Sequence, residues 1–313
     1  MHWKLKALVQ NLLSRLPEGA SYASYYRLQR MLGALRRIDP SSRLRAGVDT
    51  WRQLQRQGAE PVDKVFLEVG TGRMLNVPTA FWLMGARRTV TVDLNPYLKQ
   101  ELVLDALRHI AENQESTREL FGELLDEQRF ESLIAYASDS RASLAGYLDL
   151  IQADYRAPGD AADTGLPDSS IDFHTSFTVL EHIPPDVLTG ILSEARRLLR
   201  PDGLAVHCVD YSDHFCHSDP SISSVNFLRF TPEEWDRWAG NRYMYMNRLR
   251  HPQYLRLVDK AGLRLADCQT RVDERSLRLI ESEGFPVDAA FQDFSPEENA
   301  TRNSWIVAEQ FAA

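Results

Sequence analysis

Cysteine is scarce: three residues in 313 (Cys208, Cys216, Cys268), with no C-x-x-C pair. An odd, scattered set excludes a disulfide framework and a zinc knuckle. It is the usage expected of a reduced, cytoplasmic protein. Long apolar runs are also missing, for none approaches the roughly 18 residues that cross a bilayer. Gln10, Asn11, Ser14 and Arg15 interrupt the stretch where a signal peptide would need an unbroken apolar core. Positive charge is in deficit, with a net charge of −8, so the surface as a whole is not built for nucleic acid and no such partner is expected. Low-complexity segments and internal repeats are lacking too. What remains is 43% hydrophobic and 26% charged residues, a globular composition long enough for one large domain or two small ones.

The charge is unevenly spread. Residues 1–60 carry eleven Lys/Arg and four Asp/Glu, a net of +7 that leaves −15 for the rest. A basic head with a job separate from the acidic body is therefore expected. Within it Leu5, Leu8, Val9, Leu12, Leu13 and Leu16 recur at helical spacing, and Pro17 and Gly19 end the pattern. Such a face either docks on its own domain or lies on an anionic membrane as a peripheral contact. Further helices are expected at about 22–37 and 47–57, completing a helical cap over 1–60.

From residue 61 the pattern alternates. Short apolar strands are expected at 65–67, 88–92, 147–151 (ending near Asp154), 171–177 and 204–209. Between them, 98–146 reads as helical with a loop near Glu115–Ser116, and 186–200 as a helix closed by Pro201-Asp202-Gly203. A polar, aromatic-rich stretch covers about 211–250. A helix at 251–261 and strands at 263–267 and 305–308 complete the chain. Strands alternating with helices predict an α/β, doubly wound, Rossmann-like parallel sheet.

The most informative segment is Val65-Phe66-Leu67-Glu68-Val69-Gly70-Thr71-Gly72-Arg73-Met74. An apolar strand runs into an acid and then G-x-G, where glycine lets backbone approach a ligand. A dinucleotide site wants another glycine three residues on, and Leu75 stands there, which disfavours a nicotinamide oxidoreductase. Glu68 is instead placed to accept from a ligand ammonium. Asp93, about twenty residues on, is placed to take both hydroxyls of a ribose, and Asp154 an adenine amine. Amino-acid end, ribose and adenine without pyrophosphate describe S-adenosylmethionine.

On these residues the sequence resembles the class I S-adenosylmethionine-dependent methyltransferases. Val92-Asp93, Ala153-Asp154, Ser170-Ile171-Asp172-Phe173, Leu180-Glu181-His182-Ile183-Pro184 and Leu198-Leu199-Arg200-Pro201-Asp202-Gly203 follow in order over roughly 62–270. Met74 departs from the pattern, standing where many members have a third glycine. The resemblance implies a seven-stranded sheet with one antiparallel strand near the end. It also implies S-adenosylmethionine as cofactor. Expected cofactor contacts are Glu68, Gly70, Thr71, Gly72, Asp93, Leu94, Asp154, Tyr155 and Phe177.

Methyl transfer to a hydroxyl needs a base and an aligned acceptor. His182 after the fourth strand and His214 after the fifth are the candidates, with loop anchoring as the alternative for His182. Some members of the family hold Mg²⁺ through E-x-x-E-H and a later histidine. Thr178 replaces the first glutamate here, so no metal is expected. The 211–250 stretch carries Phe227, Phe230, Trp235, Trp238, Tyr243 and Tyr245 and suggests a substrate lid with a basic end at Arg242, Arg248, Arg250 and His251. Tyr25, Tyr26, Asp210, His217 and Arg248 are the expected substrate contacts. The function expected is methylation, by in-line O-transfer, of a small-molecule or glycan acceptor. N-methylation and a non-catalytic S-adenosylmethionine-binding protein are the rivals.

Overall fold

The computed structural model describes residues 2–32, 35, 37–282 and 284–310. Helices α1 (Trp3–Ser14), α2 (Glu18–Leu32) and α3 (Ser41–Arg56) come first. The sheet then opens with β1 (Val65–Val69), α4 (Asn76–Leu83) and β2 (Arg88–Val92). Four helices follow, α5 (Gln100–Glu112), α6 (Gln114–Phe121), α7 (Glu127–Ala137) and α8 (Leu144–Leu150), before β3 (Ala153–Arg156). β4 (Ile171–Phe177), α9 (Pro185–Leu198), β5 (Leu199–Asp210) and α10 (Pro232–Ala239) come next. α11 (His251–Lys260), β6 (Leu263–Val272), α12 (Glu274–Ser282), α13 (Pro296–Ala300) and β7 (Thr301–Gln310) end the described fold.

The seven strands form one sheet in the order β3-β2-β1-β4-β5-β7-β6, with β7 antiparallel to both neighbours and the other pairings parallel. β1 is buried at all five positions, as a strand covered on both faces must be. On one face Trp51 stacks on Phe66, ring centroids 5.6 Å apart, and Phe66 on Phe81 at 4.4 Å. On the other, Leu67, Leu188, Ile191 and Tyr254 are buried together. Each such side chain contributes about 1.5–3 kcal/mol by leaving water. The chain order reverses between β1 and β4, which opens a crevice at the strands' C-terminal ends, where such sheets bind ligands.

Several expected elements move. Residues 147–151, expected as the third strand, belong largely to α8. Ser143 caps that helix by accepting from Gly146 N–H, and the buried Tyr147 hydroxyl pairs with Thr79, so the apolar run is a buried helix face. The expected loop at 115–116 is displaced to Asn113, and Gly122 at φ +57° supplies a second break. α12 and α13 fall where no helix was expected. The expected span 22–37 includes residues 33, 34 and 36, which lie outside the described residues.

The basic head divides by packing. α3 belongs to the main core, to which it gives Leu44, Val48, Trp51 and Leu54. α1 instead joins a third cluster, in which Trp3 packs with Phe215, Phe227, Trp235, Met244, Met246 and Phe291. Most lid aromatics are thus committed to a core of their own. Among the described residues no helix is long and apolar enough to cross a membrane.

Candidate active site

A cavity of about 790 Å³ lies at the C-terminal ends of β1, β2 and β4. Glu68, at the end of β1, accepts from the Thr91 hydroxyl at 2.6 Å, and burial pushes its carboxyl up to about 8. Gly70 has φ +89°, and a Cβ there would lie 2.5 Å from Val179 Cγ2, so the turn admits only glycine. Gly72, at φ +68°, has nothing near its missing Cβ, which leaves its backbone open to the cavity. Asp93 accepts from Gly72 N–H at 2.8 Å and Asn95 N–H at 3.0 Å. These bonds fix the carboxylate while leaving lone pairs for a ligand diol. Burial raises the Asp93 pKa, and the two backbone donors oppose the rise.

The β4 end is strained. Thr178, a β-branched residue, sits at φ +52°, a conformation costing of order 1–3 kcal/mol. It is held by its N–H on Cys208 O and by Arg43, which donates to its Oγ1. The chain then turns through a short 3₁₀ segment, Leu180–His182. This loop is clamped from the lid side by Asn247. Its N–H donates to Glu181 O, and its side-chain amide donates to Leu180 O, Ile183 O and the Tyr254 hydroxyl.

His182 lines the cavity, and its Nδ1 lies 2.9 Å from Tyr245 O. A carbonyl only accepts, so Nδ1 carries the proton and Nε2 keeps the lone pair. Burial lowers the ring's pKa, which keeps it neutral. His214 stands behind it, ring centroids 4.8 Å apart, and does not line the cavity. Burial and the neighbouring His182 push its pKa down to about 3. His217 stacks on His214 at 5.2 Å, and Asp210 lies 3.8 Å from the Nε2 of each.

Although no metal was expected, the structure gathers Glu181, His182 and His214, with one ligand atom from each within 4.8 Å of the others. Glu181 is 2% exposed and neither carboxylate oxygen has a hydrogen-bond partner, while the His214 Nε2 makes no hydrogen bond and has the Asp210 carboxylate 3.8 Å away. A buried polar group in that state carries a desolvation penalty that a proton or a cation would relieve.

Of the expected cofactor contacts, Glu68, Gly70, Thr71, Gly72, Asp93, Leu94 and Phe177 line the cavity. Asp154 and Tyr155 do not. Asp154 pairs with Val90 in the interior of β3, short of the ligand end, and its carboxylate is taken by Arg88 and Arg156. The Tyr155 hydroxyl is engaged by Leu98 N–H. The cavity wall there is Gly159, Asp160 and Ala161, which the reading of β3 as an earlier strand missed.

None of the five expected substrate contacts lines the cavity. Tyr25 stacks on Tyr243 at 4.1 Å, and Tyr26 donates to Glu101 at 2.6 Å. Asp210 and His217 lie behind His182 with His214. Arg248 donates to Phe227 O and Phe230 O among the lid aromatics, and the expected anion-holding Arg250 is wholly buried on backbone carbonyls. The mouth is instead built from Arg73, Tyr97, Arg242, Tyr243 and Tyr245. Arg73 is held by Gln29 and lies over the Tyr26 ring, and Arg242 lies over Tyr22. The aromatic composition of 211–250 signalled Tyr243 and Tyr245. Nothing local signalled Asn247.

Residues 41–266 match the family described as the methyltransferase domain. The chain belongs to that family. It is a class I S-adenosylmethionine-dependent methyltransferase, an enzyme whose strand order is that of the class and whose cofactor is S-adenosylmethionine. No curated protein matches its sequence. Among solved structures, the enzyme is similar to an S-adenosylmethionine-dependent methyltransferase of Methanosarcina mazei. Identity is 12%, with 83% of this chain and 98% of that one covered, at a TM-score of 0.44. Geranyl diphosphate C-methyltransferase of Streptomyces coelicolor, solved with Mg²⁺, geranyl diphosphate and S-adenosylhomocysteine, gives 13%, 85%, 80% and 0.46. Phosphoethanolamine N-methyltransferase 2 of Haemonchus contortus, solved with S-adenosylmethionine, gives 14%, 84%, 52% and 0.44.

Proposed function

We propose that the enzyme methylates an oxygen of a small-molecule or glycan acceptor, with His182 as general base. The cofactor supplies the activated methyl group. Asp93 receives its ribose hydroxyls, and Glu68 its ammonium, directly or through water. Gly70, Thr71, Gly72 and Leu94 line its path, and Phe177 closes the far wall. The fit rests on a rigid, half-buried Asp93 carboxylate beside the open Gly72 backbone.

The single observation that carries the base assignment is the Nδ1–Tyr245 hydrogen bond, which leaves Nε2 as acceptor on a ring facing the cavity. His214 acts as a positioning residue, holding His182 from behind. The acceptor enters past Tyr97, Tyr243 and Arg242. With ¹³C-methyl-labelled S-adenosylmethionine and cell-extract small molecules as acceptors, the wild type should yield a labelled product whose methyl shift is that of an O-methyl group. H182A should bind S-adenosylhomocysteine normally and yield no product. An N-methyl shift would replace this reading with N-methylation. Undiminished turnover in H182A would remove the base.

A second reading is favoured by Glu181. Its buried, unpartnered carboxylate beside two imidazoles is a donor set for a divalent cation that would polarise the acceptor hydroxyl in place of a base. A chelator should then abolish label transfer while leaving S-adenosylhomocysteine affinity intact, and added Mn²⁺ or Zn²⁺ should restore it. Full activity in chelator overturns this reading.

A further inference from the structure

Leu5, Leu8 and Leu12 of α1 face away from the protein. α1 docks through the opposite side: Trp3 is 4% exposed, Ala7 0% and Gln10 2%. Trp3 packs against Phe215, Phe230 and Trp238, with ring centroids 5.3–5.9 Å apart, and its N–H donates to Asp219 at 2.8 Å. Gln10 donates to the Tyr25 hydroxyl, Asn11 to Arg237 O and Lys6 to Ser218 Oγ. These contacts fix the roll of the helix. Leu5 is then 54% exposed, Leu8 57%, Leu12 67% and, just past the helix end, Leu16 41%. Spacings of three, four and four residues align them as one straight stripe.

We propose that this stripe lies in the interface of an anionic phospholipid bilayer. Charge supports that occupant. Residues 2–17 carry Lys4, Lys6 and Arg15 and no acid. Arg15 is exposed beside the stripe, while the exposed Lys4 reaches back to place its Nζ over the Trp3 and Trp238 rings at the edge of the docked face. Size supports it too. A 12-residue helix is about 18 Å long, and one row of leucines on it offers far less than the roughly 1,200 Å² of a stable protein interface. Shallow insertion of about 5–10 Å needs no more than such a row. A second copy would also set Lys4 and Arg15 against their own kind. The inference goes beyond the methyl-transfer reading and stands whichever acceptor is used.

The test is co-sedimentation of the full chain with vesicles of phosphatidylcholine alone or mixed with phosphatidylglycerol. The wild type should sediment with the mixed vesicles and release as salt rises. L5S/L8S/L12S should partition at least about tenfold more weakly, since three apolar anchors are lost. R15Q should weaken binding to the mixed vesicles alone. Calorimetric titration with S-adenosylhomocysteine on the same samples shows that each variant is folded. A wild type that stays in solution with both vesicles, or a triple variant that sediments equally well, overturns the proposal. So does a wild-type dimer that the triple variant converts to monomer, because the stripe is then a self-contact. Cofactor binding without sedimentation sinks only this surface, and sedimentation without cofactor binding sinks only the methyltransferase site.

Discussion

The Nδ1 of His182 donates to the Tyr245 carbonyl oxygen over 2.9 Å, so a lid residue sets the tautomer of the imidazole beside the cofactor crevice. Loss of a general base typically costs about 10²–10⁴ in rate. H182A is therefore expected to lower kcat by that order with S-adenosylhomocysteine affinity unchanged, and H214A by less. Burial disfavours the imidazolium of His182, so the neutral base persists below the ordinary histidine range. The acid limb of the kcat profile should fall below about pH 6.5, and a limb above that value would contradict the assignment.

Asp93 is the second test. Its carboxylate already accepts two backbone N–H groups, so its position does not depend on ligand. Removing an acceptor for a ribose diol should cost about 1–3 kcal/mol of affinity. Calorimetry of D93A with S-adenosylhomocysteine reads this directly. D154A, by contrast, should bind like the wild type, because Asp154 is spent on Arg88 and Arg156.

Glu68 makes stability depend on pH. Burial raises its pKa from 4.5 to about 8, so the folded, ligand-free protein holds a proton that the unfolded chain releases above pH 4.5. More protons bound in the folded state means that stability falls as pH rises through that window and levels off above about 8. E68Q should remove this part of the slope, with a higher melting temperature than wild type at pH 8 and little difference at pH 4.5. A ligand ammonium would draw the proton off. Calorimetry at pH 7 in two buffers of different ionisation enthalpy should therefore report proton release on cofactor binding by the wild type and none by E68Q.

Arg250 is 0% exposed, and among the described residues no carboxylate pairs with it. Its guanidinium donates to Tyr211 O, Glu298 O, Asn299 O and Thr301 O, tying the end of β5 to the start of β7. R250M would leave four carbonyls, three of them buried, short of donors and should cost about 3 kcal/mol or more of unfolding free energy, measured by urea denaturation. R250K should not rescue it, since an ammonium cannot reproduce the planar fork.

The crevice was legible where its chemistry is local. Strand, acid, G-x-G and Asp93 sit within one β-turn-α-β unit, and the sheet places them together with no help from distant chain. Asp154 shows the limit. The apolar run 147–151 suits a strand or a buried helix equally, and choosing the strand shifted the ligand end from Asp160 back to Asp154. The substrate mouth was harder, because Tyr243, Tyr245 and Asn247 reach the site only through contacts with residues more than sixty positions away. In α1 the periodicity was readable but the docked face was not. Trp3 and Ala7 find the Phe215–Trp238 cluster and Gln10 the Tyr25 hydroxyl, and five leucines and a valine could not announce that.

The sheet order carries a consequence for synthesis. β7 is the last of the described strands, yet it lies between β5 and β6. A ribosome-bound chain that has extruded everything through β6 still presents the open edge of β5, with Val206, Cys208 and Val209 awaiting partners. Strand edges left open in this way are where nascent chains pair with the wrong neighbour. The last ten described residues, Thr301–Gln310, therefore decide when the nascent protein stops being at risk of aggregation.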